Sequence, residues 1–349
     1  MLDALGYRIT DWTGAYWIPH RRAIFVGDLI DRGDEQIRVL EIVKGMVDSG
    51  SAEVVMGNHE FNAVAYATEH PAGSGQVLRP HIPKNYKQHR SFLEQVTGPT
   101  RALYLEWFKT LPLWLDLGGI RIIHACWHQP SIELVGRELG SNRFNSMGQF
   151  IRASDKSDPL YTAVDALLKG PEVSLVDHGQ AKFVDKDGHA RSEARLRWWN
   201  EGATTLRELA ELSDRFTTED GQPYPPLPDI EIGTSERSYA YDSAVPVFYG
   251  HYWRQGSPKF GLDWTEHTAC VDFSAVKDGR FRHGAVGHDA GQRGGFGISA
   301  SNASPLAPSP RPVLRVCPSQ VTTRPSRHRH RCHLVSTIVP ARSTSSSAT

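Results

Sequence analysis

Twice within its first seventy residues the chain runs a short apolar stretch into a glycine-led polar turn and then into a helical pattern. This repeat restricts the fold more than any other feature. Ala23-Ile24-Phe25-Val26 leads into Gly27-Asp28-Leu29-Ile30-Asp31-Arg32-Gly33, and Val54-Val55-Met56 leads into Gly57-Asn58-His59-Glu60. Short apolar runs bounded by turn residues suit buried strands, and Ile37, Leu40, Val43 and Val47 then recur at helical spacing. A second helix is predicted from Phe61 to Ala67. Strand, turn and helix in succession predict an α/β fold. In open α/β sheets the carboxyl ends of the strands are where ligands collect, so Asp28, Asn58 and His59 are expected at one edge.

Three further strand ends follow the same logic. Leu113 to Leu117 and Ile120 to Ile123 predict a hairpin turned at Gly118-Gly119, with His124 at its end. Val245 to Tyr249 runs into Gly250-His251, and Thr268 to Phe273 supplies a last apolar strand. A single histidine at a strand end is usually a satisfied polar residue. Two histidines, an aspartate and an asparagine at successive strand ends favour a shared metal site instead.

In this order the segments resemble the calcineurin-like metallophosphoesterases, on the branch shared by phosphoprotein phosphatases and symmetrical dinucleoside tetraphosphatases. Their pattern is G-D-x-x-D-R-G, then G-N-H-E, a histidine after a strand, and Gly-His after a later strand. The likeness runs from about Leu2 to Arg282, and Gly250-His251-Tyr252-Trp253 is similar to a bacterial group with a G-H-Y-W ending. The resemblance implies an α/β fold with a β-sandwich core flanked by helices, four layers in all. It implies Asp28 as a carboxylate bridging two divalent metals, with Asn58, His124 and His251 completing the second metal's shell. Manganese suits this mixture of oxygen and imidazole donors, as do iron and zinc. His59 is implied as the proton donor to the leaving group, Asp31 as the residue orienting its imidazole, and Arg32 as the phosphate clamp. The alternative for Asp31 and Arg32 is a local ion pair that stiffens the loop.

Two departures from the family pattern stand out. An Asp-x-His-Gly segment, which supplies the first metal's Asp and His, is not found ahead of Gly27; the chain opens on Met1-Leu2-Asp3-Ala4-Leu5-Gly6, read as the end of the helix that follows such a segment. The expectation is a first strand missing through a late start assignment or a truncated gene, with poor turnover in consequence. Trp253 stands where many relatives carry another histidine.

Composition bears on organisation and location. The 349 residues include 39 Lys and Arg against 39 Asp and Glu, but eight of the basic residues are arginines between Gly291 and Thr349, where no acid occurs. The preceding part is therefore acidic, at 31 basic against 39 acidic residues, which argues against specific nucleic-acid binding. No apolar run is long enough to span a membrane and no secretory signal is present, so a cytoplasmic protein is expected. Four unpaired-looking cysteines predict no disulfide framework, and Cys126 reads as a buried small residue. The domain is expected over residues 1–283, with a cap insertion at 136–228 and a basic, Pro/Ser-rich tail without packed structure at 284–349. Within the insertion Arg195, Arg197, Trp198 and Trp199 either hold the nonreacting part of a substrate or pack the cap on the core. The expected partner is a small phosphorylated substrate, such as a nucleotide. The alternatives are a phosphoprotein phosphatase and a truncated, catalytically impaired phosphate-binding homologue.

Overall fold

The computed structural model describes residues 1–185 and 188–273 together with the backbone of three later strands, Gly284–His288, Phe296–Ala300 and Arg331–Val335. Two sheets form its centre. One has four strands in the order Thr268–Cys270, Val247–Tyr249, Arg121–Ile123, Trp114–Asp116; the first three are parallel and the last closes the predicted hairpin antiparallel, Leu115 opposite Ile122. The other pairs Arg21–Phe25 in parallel with Ala52–Val54 on one side and Arg331–Val335 on the other.

Alternation along these strands explains why they stack. Ile24 and Val26 point into a cluster with Val55, Leu115, Ile122, Phe248, Ala269 and Val271, drawn from both sheets. Ala23, Phe25, Ile123, Val247, Tyr249 and Cys270, one residue out of phase, face the larger helix-lined cluster instead. A two-residue period thus buries both faces of Arg21–Phe25, Arg121–Ile123, Val247–Tyr249 and Thr268–Cys270, giving the α/β sandwich flanked by helices.

Four helices share the larger cluster: α1 (Gln36–Asp48) against the strand Ala52–Val54, α2 (Asn58–Ala67), α3 (Pro83–Gln95) against α1, and α4 (Gly98–Lys109) against α2. The buried face of α1 is Gln36, Val39, Leu40, Val43 and Met46. Ile37, predicted on that face, is exposed, because Gln36 turns inward to hold the loop before the helix. The opening residues form one 3-10 turn, Asp3–Leu5, followed by a small hairpin of Arg8–Ile9 and Tyr16–Trp17.

Beyond Gly140 the chain divides. Phe144, Phe150, Leu160, Ala163 and Val164 join the main cluster. A separate cluster begins at Val173 and ends at Ile232, around a three-stranded sheet of Glu172–Ser174, Glu193–Leu196 and Ala210–Glu211. Within the tail, Gly284–His288 and Phe296–Ala300 form an antiparallel pair and Arg331–Val335 lies beside Arg21–Phe25. The rest of the tail lies outside the described residues. Among the described residues no helix is long and apolar enough to cross a membrane.

Candidate metal centre and its proton donor

The two glycine-led turns meet backbone to backbone. A Cβ on Gly57 would fall 2.3 Å from the Asp28 nitrogen, and one on Gly27 2.5 Å from the Gly57 nitrogen, so any side chain at either position separates the loops. Glu60, fully buried in the first turn of α2, clasps them. Its Oε2 accepts from the backbone N–H of Asp28 (2.9 Å) and of Gly57 (2.8 Å), and its Oε1 from that of Leu29 (2.7 Å). Burial and the nearby Asp28 charge push this carboxyl up to about 7. The turns take unusual backbone angles: Asp28 (φ 57°), Asp31 (74°), His251 (69°) and Trp253 (53°) all lie in the left-handed region.

This geometry brings the four predicted metal ligands together. One ligating atom each of Asp28, His124 and His251 lie within 4.8 Å of one another. The His124 Nδ1–H donates to the Val26 carbonyl at 2.5 Å. Since a carbonyl only accepts, this bond holds the proton on Nδ1 and turns His124 Nε2 toward the other candidates, 3.2 Å from Asp28 Oδ1 and 3.1 Å from Asn58 Oδ1. A backbone bond of this kind sets the ring orientation of metal-ligating histidines. His251 Nδ1 lies 2.9 Å from Asn58 Oδ1, and its buried Nε2 has no hydrogen-bond partner. Burial, reinforced by Arg195 and the neighbouring histidines, holds His251 well below the usual histidine range and keeps it neutral. Two imidazoles, a carboxylate and an amide oxygen, brought together where the strand ends of the two sheets meet, fit a divalent cation.

His59 stands beside them. Its Nδ1–H donates to Asp31 Oδ2 at 2.7 Å while its Nε2 lies 3.9 Å from Asp28 Oδ2, so the outer nitrogen faces the ligand cluster. Burial lowers His59, but the charges of Asp28 and Asp31 outweigh it and raise the imidazole to about 9. Asp31 pairs with His59 and with His89, a residue the sequence had not suggested, rather than with Arg32. Burial raises the Asp31 carboxyl, and the two histidine hydrogen bonds more than offset this, leaving it below its usual range. Gln36 holds the loop from beneath: its Oε1 accepts from the Asp31 N–H at 2.8 Å, and its amide donates to the Arg32 carbonyl at 2.6 Å. The Arg32 guanidinium lies 3.8 Å from the centre of the Trp253 ring, close enough for a cation–π contact.

Of the four aromatic and basic residues predicted at the cap, two are resolved as packing. Trp198 and Trp199 are buried against Tyr249, and Trp199 also meets Tyr252 edge-on. Arg195 lies over the Tyr252 ring and its charge reaches His251, whereas Arg197 is half-buried. Cys126 and Cys270 are free and buried, burial pushing the thiol of Cys270 up to about 12.

Comparison with known proteins agrees with this arrangement. The family model for calcineurin-like phosphoesterases matches residues 7–211, a span that holds Asp28, Asn58, His59 and His124 and ends before His251. The asymmetrical bis(5'-nucleosyl)-tetraphosphatase PrpE of Oceanobacillus iheyensis is 27% identical over 126 residues, 36% of this chain and 48% of that protein. The symmetrical bis(5'-nucleosyl)-tetraphosphatases of Aromatoleum aromaticum and Methylococcus capsulatus are 31% and 28% identical, over 30% of this chain and 33% and 32% of theirs. The chain thus spans between a third and a half of the length of these relatives. With the family model covering more than half of its residues and the candidate ligands assembled where the strand ends of the two sheets meet, the chain belongs to the metal-dependent calcineurin-like phosphoesterases.

Proposed function

We propose that the protein hydrolyses phosphate esters or anhydrides of nucleotide-type small molecules by direct attack of water. The convergence of Asp28, Asn58, His124 and His251, with His59 aimed at the same point, is the observation that carries this reading. Divalent cations held there, manganese first among candidates, supply Lewis acidity to the phosphoryl oxygens and to the attacking water. Asp28, Asn58, His124 and His251 are their holders. Arg32, steadied against Trp253, pairs its fork of donors with phosphoryl oxygens. His59 gives the proton on Nε2 to the departing oxygen, with its ring held by Asp31 through Nδ1. No covalent phosphoenzyme is required.

The nucleotide preference draws support from the dinucleoside polyphosphates named for the relatives and from the module at residues 172–232, which we read as a cap. Its Arg195 places positive charge toward His251, where the polyphosphate of a nucleotide would extend. The experiment is hydrolysis of a dinucleoside tetraphosphate, a mononucleotide and a phosphoserine peptide by the chain loaded with Mn²⁺. Nucleotide cleavage that disappears in Asp28→Asn supports the proposal. Faster cleavage of the peptide than of either nucleotide would move the protein to the phosphoprotein phosphatases.

A further inference from the structure

We propose that His89 is a positioning residue that fixes the Asp31 carboxylate and, through it, the ring of His59; its kinetic meaning rests on the phosphoesterase reading above. The helix α3 buries Asn85, His89 and Phe92 along one face, and a histidine on such a face ordinarily meets a backbone carbonyl or water. His89 instead reaches across 58 positions of sequence to a side chain. Its Nδ1 lies 2.6 Å from Asp31 Oδ2, the same oxygen that accepts from His59 Nδ1 at 2.7 Å.

A carboxylate offers only lone pairs, so both Nδ1 atoms carry protons. The two rings stand 6.4 Å apart at 80° to one another, as two donors on separate lone pairs of one oxygen require. The Asp31 side chain is wholly buried and, among the described residues, its Oδ1 has no hydrogen-bond partner. His89 donates to Oδ2 alone, so it selects that oxygen for His59, and the His59 ring plane is set by it; without His89 the two carboxylate oxygens compete for the His59 donor.

On its far side, His89 lines a cavity of about 150 Å³ with Tyr66, His81, Phe92 and Leu105, and its Nε2 has no hydrogen-bond partner. The functional hydrogen bond of this residue is therefore the one to Asp31. Nothing local in the sequence marks it, since α3 and the Asp31 loop meet only in the folded chain.

The test uses two substitutions, because His89→Leu removes the donor at some cost to folding, whereas His89→Asn keeps an N–H near the position of Nδ1. In metal-free protein labelled with ¹⁵N-histidine, the wild type should show downfield Nδ1–H resonances from His59 and His89 beside that of His124. His89→Asn should lose the His89 resonance and leave that of His59 nearly in place; His89→Leu should lose it and shift or broaden that of His59, with the His124 resonance as the unmoved reference. In the Mn²⁺-loaded protein, His89→Leu should lower kcat about 10–100-fold on an ester with a poor leaving group, with KM little changed. A nitrophenyl ester, which needs little protonation, should lose only about two- to threefold, and His89→Asn should restore most of the difference.

An unmoved His59 resonance in His89→Leu overturns the inference, as does an equal fall for both esters. If the wild type cleaves neither ester, the phosphoesterase reading fails by itself, and the resonances alone decide whether His89 sets Asp31 and His59.

Discussion

At the scale of single residues, the proposed function divides the site into groups to hold a cation, a group to move a proton and a group to meet phosphate. Three substitutions should show it. Asp28→Asn is expected to abolish metal binding and activity together, measured by metal titration and turnover. His59→Asn should leave metal content unchanged and lower kcat by about 10²–10⁴, the usual share of a general acid. Trp253→Ala should leave the ligands in place but release the Arg32 guanidinium from its ring, weakening inhibition by inorganic phosphate about three- to tenfold. Trp253→Phe should recover most of that loss. Much of this site was legible in the sequence, because Asp28, Asn58, His124 and His251 each follow an apolar run and a strand end can point only to one edge. Gln36, Glu60 and His89 were illegible as participants. Each works by reaching a backbone group or carboxylate that only the folded chain brings near, and a polar residue on a helix face gives no sign of it.

At the scale of elements, the two turns act as one part. Their packing depends on the missing side chain at Gly57, where a Cβ would sit 2.3 Å from the Asp28 nitrogen and 2.4 Å from its Oδ1. Gly57→Ala should therefore push the loops apart, lower stability by about 1–3 kcal/mol and weaken cation binding more than that loss alone explains. Denaturant titration with and without Mn²⁺ separates the two effects. The predicted strands were found within a few residues of their bounds, since a buried strand declares itself by composition. The face of α1 was misjudged for a physical reason. Apolar spacing favoured Ile37, but the loop's need for the Gln36 amide turned the helix so that Val39 and Met46 went inside. Trp198 and Trp199 were ambiguous because a substrate platform and a packing wedge have the same composition.

At the scale of the whole molecule, the module at 172–232 has its own apolar cluster and is joined to the core by few large side chains. Trp198 and Trp199 meet Tyr249 there, and Arg254 stacks on Trp199 while pairing with Glu211 and Asp263. Trp198→Ala should cost about 3–5 kcal/mol in chemical denaturation, as a large buried aromatic does. Should unfolding become biphasic, the module and core will have been uncoupled. The joint also lies next to His251, so the aromatic wedge and the ligand edge share one segment of chain. The backbone angles of that edge carry a different consequence. Asp28, Asp31, His251 and Trp253 sit in a left-handed conformation that costs non-glycine residues about 1–3 kcal/mol each, a sum comparable with the net stability of about 5–15 kcal/mol typical of a domain. A library of variants sorted once for cellular abundance and once for turnover should therefore yield two maps that agree over most of the chain and reverse sign at these four positions. There glycine would raise the first score and lower the second, most at Asp28 and least at Trp253.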